Sequence, residues 1–167
     1  SSTFTITVNY GEGDGTESLD YRRDNRTMLL DHVFQRAGTY SVVVSVLDDS
    51  LPTGKVGTDT FQVTVLNTPP EIAFNEVLLT KRIREGETVN LSGAFEDLGQ
   101  RDNHTIEVDW GDGTPIVPQA ITVGARAFTL SHRYDDDGVS NADAHVYRVV
   151  VQVRDQFGAV SQTPVFL

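Results

Sequence analysis

Apolar and polar residues alternate through most of the chain in short runs, separated by clusters of Gly, Asp, Ser, Thr and Pro. Period-two alternation puts every second side chain on one face, the signature of a half-buried strand, and no segment carries the 3.6-residue period and caps of a long helix. The pattern predicts strands near 3–10, 27–34, 39–47 and 59–66. Further strands are expected near 71–79, 87–95, 104–110, 126–134, 146–154 and 159–166. Between the two sets lies Asn67-Thr-Pro-Pro70, where two prolines interrupt pairing and favour an extended hinge.

The two sets repeat each other. Thr5-Ile-Thr-Val-Asn-Tyr-Gly-Glu-Gly-Asp-Gly-Thr16 matches Thr105-Ile-Glu-Val-Asp-Trp-Gly-Asp-Gly-Thr114, with two extra residues in the first copy. Leu30-Asp-His-Val-Phe34 matches Leu130-Ser-His-Arg-Tyr134, and the Tyr40–Asp48 run matches Tyr147–Asp155. Residues Tyr40/Tyr147, Val42/Val149, Val44/Val151 and Val46/Val153 of the last pair are identical and fall on one face, while between them Ser41/Arg148, Ser45/Gln152 and Leu47/Arg154 change freely. The invariant face is the expected core face; Ile6/Ile106, Val8/Val108 and Tyr10/Trp110 join it by the same parity.

Composition narrows the function classes. With 24 Asp plus Glu against 13 Lys plus Arg, a formal charge of −11 argues against a nucleic-acid surface, which depends on Lys and Arg displacing counterions. The absence of cysteine excludes disulfides, thiolate zinc sites and a cysteine nucleophile. No apolar stretch approaches the roughly 18–20 residues of a membrane helix, so no membrane span is expected in this segment. Ser1 to Tyr10 is not a signal peptide, and a mature protein or excised fragment is expected.

The repeated motifs resemble the PKD domain family, immunoglobulin-like β-sandwiches that recur in secreted and surface proteins. The resemblance rests on Val108-Asp-Trp-Gly-Asp-Gly-Thr114, His132-Arg-Tyr134 and Tyr147–Asp155, with weaker counterparts at Val8–Thr16, His32-Val-Phe34 and Gly38-Thr-Tyr40. Glu85–Gly93 is similar to the opening strands of the version found in long bacterial repeat proteins. The resemblance implies an all-β chain of two tandem immunoglobulin-like sandwiches, 1–67 and 68–167. Residues 70–103 precede the Thr105 strand of the second copy, whereas only four residues precede Thr5. In an immunoglobulin-type sandwich those residues form opening strands, largely in the opposite sheet, so the first domain is expected to lack part of its cover. An upstream segment or a partner chain adding strands would supply it; further residues ahead of Ser1 are the plain alternative.

The candidate chemistry is weighed against structural roles. The Gly-Asp-Gly turns have β-segments on both sides, unlike a phosphate loop, so glycine is expected for positive φ and Asp for bonding its own backbone. Gly11–Gly15 is a single copy and cannot build a calcium-binding nonapeptide helix. His32 and His132 are read as strand residues bonding neighbouring backbone, and His104 and His145 as residues of polar loops without catalytic company. No nucleophile elbow or acid–base pair is present, and the chain is read as non-catalytic. Asp135-Asp136-Asp137-Gly138 lacks EF-hand spacing and is read as a solvated turn.

The resemblance also brings the linker, the 96–102 loop and the 155–158 hairpin to one end of the second domain. Asp97, Asp102 and Asp155, with Asn67 as an extra oxygen, are therefore candidate Ca2+ ligands, since calcium accepts six to eight oxygens at irregular spacing. A solvated acidic rim is the competing reading. Asp48 and Asp49 match Asp155 in position without a partner loop. Phe157 is either packed at the domain junction or an exposed ligand contact. Asn25-Arg-Thr27, Asn90-Leu-Ser92 and Asn103-His-Thr105 are sequons only where the source glycosylates asparagine.

The resulting expectation is an extracellular spacer and protein-interaction or adhesion module, calcium-stiffened at the hinge. Its partners would be neighbouring repeats of the same polypeptide and proteins or glycans at the cell surface. The alternative is an accessory module that holds polysaccharide or protein for a secreted hydrolase. That role needs exposed aromatics, and the pattern leaves mainly Tyr21, Phe128 and Phe157 for it.

Overall fold

The computed structural model describes residues 4–19, 21, 27–48, 54–74, 82–135 and 146–166; for residues 74 and 162–166 it gives the backbone alone. The described residues are all-β, as the alternation and the resemblance imply. The chain divides into two compact units, Ser1–Leu66 and Asn67–Leu167.

Unit 1 contributes β1 (Phe4–Asn9), β2 (Glu17–Leu19), β3 (Gly38–Asp48) and β4 (Lys55–Val65), antiparallel in the order β2-β1-β3-β4. Ile6 faces Val46 and Val8 faces Val44 across β1 and β3, so the apolar face predicted from the repeat is built by register. Val8, Tyr10 and Val42 form its buried cluster, with Leu19, Leu30, Phe34, Val44 and Val63 packed against it.

Unit 2 contributes β5 (Glu71–Phe74), β6 (Thr88–Glu96), β7 (His104–Asp109), β8 (Gln119–Ile121), β9 (Ala127–Arg133), β10 (Arg148–Asp155) and β11 (Val160–Phe166). They form two sheets, β11-β10-β7-β8 and β5-β6-β9, whose inner faces share one core. Val149, Val151 and Val153 of β10 meet Val89, Leu91 and Phe95 of β6, all fully buried. Register explains a missing side chain: Gly93 sits opposite Phe128, and a Cβ there would run into the Phe128 ring. Phe128 is accordingly core at 8% exposure, which corrects its reading as an exposed aromatic.

Three expectations change at the level of elements. Residues 28–34 enter no ladder, although a strand was expected over 27–34; the counterpart of β6, to which β9 pairs in unit 2, is not among the described residues of unit 1. The short strands β2 and β8 had no apolar alternation to announce them. His104 opens β7 and is 3% exposed, so it is a buried strand residue and not part of a polar loop. The expectations for Asp49, Asp136, Asp137, His145 and the 75–79 end of a strand lie outside the described residues.

Candidate functional site

The acidic end of unit 2 is assembled by strands that run one step past their apolar rows. On β6 the inward series Val89, Leu91, Phe95 ends at Asp97; on β7 Val108 and Ile106 lead back to His104; on β10 Val149, Val151 and Val153 lead to Asp155. Asp155 and His104 are opposite each other in the β10–β7 ladder. Polar groups thus cap the core, and their burial requires that each find a partner.

Asp97 has a nearly sealed side chain and receives His104 Nε2 at 2.7 Å on Oδ2, while Gly99 N–H donates to Oδ1 at 2.7 Å. Gln100 Nε2 donates to the Asp97 carbonyl at 2.9 Å, closing the loop on itself. Asp155 is the hub of the 155–159 hairpin. Its Oδ1 accepts the N–H groups of Phe157 and Ala159, both at 2.9 Å, and its Oδ2 accepts Asn67 Nδ2 at 2.6 Å. Asp102, 1% exposed, accepts Gln156 Nε2 at 2.8 Å, which ties the 97–103 loop to that hairpin.

Gly99 lies between the first two carboxylates. A Cβ at this position would stand 2.7 Å from Asp102 Cγ and 3.3 Å from Asp97 Oδ1. Arg126 brings a guanidinium to the same loop, donating to the Gly99 carbonyl at 3.2 Å while lying 5.3 Å over the Phe95 ring. All four candidate ligands therefore gather at one end of unit 2. The carboxylate oxygens of Asp97 and Asp155 and one oxygen of Asp102, however, accept from protein donors, and among the described residues no three acidic or histidine side chains form a group that would hold a metal ion.

A second polar device occurs in both units. In unit 2, His132 stacks on Trp110 at 4.7 Å, meets Tyr134 edge-on at 4.8 Å, and Tyr134 stacks on Tyr147 at 4.5 Å. Unit 1 repeats the series with His32 on Tyr10 at 3.9 Å, Phe34 edge-on at 4.7 Å and Tyr40 at 4.7 Å from Phe34. Each histidine also reaches a carboxylate in the glycine turn twenty residues earlier: His132 meets Asp112 at 2.7 Å and His32 meets Glu12 at 3.0 Å. Both histidines are thus held by side-chain carboxylates and not by neighbouring backbone. The counterpart of Asp112 is Glu12, so the two extra residues of the first copy follow the tie.

The turn itself forms as expected. Gly111 and Gly113 have φ of 77° and 82°, and Asp112 Oδ1 accepts from Thr114 N at 3.0 Å and Oγ1 at 2.7 Å. Burial of the Asp112 carboxyl would raise its pKa, but the bonds from Thr114 and His132 outweigh this and hold it below its ordinary value. Tyr134, pushed well up chiefly by burial, donates its hydroxyl to the Trp110 carbonyl at 2.9 Å and anchors the start of the same turn.

Sequence reasoning found Asp97, Asp102, Asp155 and Asn67 but missed His104, Gly99, Arg126 and Gln156 as their partners. His104 was signalled by parity with Ile106 and Val108; Gly99 and Gln156 carry no pattern that distinguishes them from loop residues. Phe157, 49% exposed, is the large apolar residue of the hairpin.

No curated protein sequence matches the chain. Among solved structures, the fibronectin(III)-like modules of Clostridium thermocellum CbhA align at 12% identity and a TM-score of 0.39, over 97% of this chain and 75% of theirs. The alpha chain of the chicken interferon gamma receptor aligns at 10% identity and a TM-score of 0.35, over 100% of this chain and 85% of its own. The profile of the PKD domain matches residues 67–166, the whole of the two-sheet unit and well over half the chain. By that match the chain belongs to the PKD domain family.

Proposed function

We propose that this chain is a non-catalytic extracellular module, a spacer and protein-interaction segment of a larger secreted or surface protein, with unit 1 as a second PKD-like copy. One observation carries the non-catalytic part. Each histidine of the described residues is paired with a carboxylate that fixes a turn or a loop: His32 with Glu12, His104 with Asp97 and His132 with Asp112. Membership of a domain family that is generally non-catalytic and commonly mediates protein contacts supports the rest. The accessory reading loses Phe128 to the core and keeps Phe157, with Phe4 and Phe61 as further exposed aromatics. Passing the chain over insoluble glycans and matrix proteins tests the choice. Retention on protein alone is expected, and retention on a glycan would establish the accessory role instead.

A calcium-stiffened form of this module, with Asp97, Asp102, Asp155 and Asn67 as ligands, is favoured by three buried carboxylates gathered in one loop cluster. An ion there has to displace the Asn67, Gln156 and backbone N–H donors. If it does so, saturating calcium raises the melting temperature by mass action and Asp155→Ala abolishes the rise. Identical melts in calcium and chelator would remove the metal and leave the hydrogen-bonded cluster as a structural cap.

A further inference from the structure

Residues 67–70 carry the expectation of an extended hinge, yet within unit 2 they are held at both ends. Asn67 is half-buried, Thr68 and Pro69 are exposed, and Pro70 is buried. Directly after Pro70, β5 pairs with β6 from Glu71 onward, and Ile72 N–H donates to Ser161 Oγ at 3.2 Å. The other end is fastened by a side chain: Asn67 Nδ2 donates to Asp155 Oδ2 at 2.6 Å, across 88 positions of sequence.

The prolines explain why a side chain does this. Pro69 and Pro70 have no N–H, so the backbone between Thr68 and Glu71 has no donor with which to pin itself. They also fix φ and hold Thr68 in extended conformations, so few states are lost when the segment docks. The acceptor is placed in advance. Asp155 is 4% exposed, its Oδ1 takes the N–H groups of Phe157 and Ala159, and its own N–H donates to the Ala159 carbonyl at 3.0 Å. That hairpin geometry leaves Oδ2 for the entry segment. A hydrogen bond to a carboxylate is stronger than one between neutral groups, and burial of the acceptor shields it from water.

We infer that Asn67 is a positioning residue: its amide clasps the entry segment to the 155–159 hairpin, so that residues 67–70 form a fixed arm of unit 2 and the polypeptide enters this unit in one direction. β4 ends at Val65, and Leu66, 81% exposed, is the residue between that ladder and the clasp. The turning point of the chain ahead of unit 2 is then Leu66 and not the proline segment. The clasp rests on the spacer reading for its use, but it needs no ion, and measurement in chelator separates it from the calcium-dependent melt.

The test is 15N relaxation of the full chain in chelator, read at the Thr68 amide, the one N–H between Asn67 and Glu71. In the wild type its order parameter should match β6 and β7, at roughly 0.85. Asn67→Leu keeps the size but removes the donor, and Asn67→Asp sets a second carboxylate against Asp155. In both, the Thr68 value should fall below about 0.6 while β6 and β7 keep theirs. Thr68→Ala, on the exposed side, should leave the amide at position 68 as ordered as in the wild type. A bond that merely satisfies Asp155 would leave Thr68 held by the prolines and β5, so an ordered Thr68 in both Asn67 variants would overturn the inference. So would a wild-type Thr68 value already below about 0.6, since no clasp then operates. Should one variant lose the β6 and β7 signals by unfolding, the other decides, and the wild-type value can overturn the inference by itself.

Discussion

At the scale of single residues, this chain uses charged groups as fasteners. The Asp112–His132 tie joins a turn to a strand across twenty residues, and it is coupled to pH through the carboxyl. The folded pKa of Asp112 lies below its unfolded value, so its contribution to stability is complete above the unfolded pKa of about 4 and is lost as pH falls through the lower folded value. Denaturant titrations of the wild type and Asp112→Asn should therefore differ most at neutral pH and converge as the pH falls below about 4. A gap that stays constant over that range would show that the charge contributes nothing. Tyr134→Phe tests the neighbouring anchor. Losing a buried hydroxyl that serves the Trp110 carbonyl should cost about 1–2 kcal/mol by urea denaturation, with the aromatic stacking kept. Phe34 shows that the ring alone suffices at this position in unit 1. These ties were half legible in the sequence: the paired histidines and glycine turns stood out, but alignment of Gly-Asp-Gly to Gly-Asp-Gly hid Glu12 as the partner of His32.

Elements form where alternation meets a partner, and the two copies separate those requirements. Residues 28–34 and β9 share their inward pattern, yet only β9 is laddered, because β6 lies beside it. Propensity and period predict which face a segment turns inward, whereas pairing depends on a neighbour that the local sequence does not contain. The same limit explains the acidic end. Asp97, His104 and Asp155 extend the inward parity of β6, β7 and β10, so their burial follows from period two; the partners that satisfy them follow from loop geometry. Gly93 gives the element-scale test. Gly93→Ala pushes a methyl into the buried Phe128 ring and should destabilise unit 2 by about 1–3 kcal/mol, with Phe128→Leu recovering part of the loss in the double variant. Additive losses would mean that the two positions do not share the space.

For the whole molecule, the unequal cores set the order of unfolding. Among the described residues, twelve buried side chains form the core cluster of unit 2, and Val8, Tyr10 and Val42 form that of unit 1. Burial of apolar surface is the main favourable term in folding, so unit 1 should unfold at lower denaturant and with a smaller slope than unit 2. The composition provides the means to see it. Trp110 is the single tryptophan and lies in the unit 2 core, so its fluorescence follows that unit, while far-UV circular dichroism follows the strands of both. In a urea titration the dichroism signal should begin to fall before the tryptophan signal moves, and the early phase should disappear from a chain limited to residues 67–167. Superimposable transitions for the two probes would mean that both units unfold as one cooperative body, and the unequal core clusters would then not set an order of unfolding.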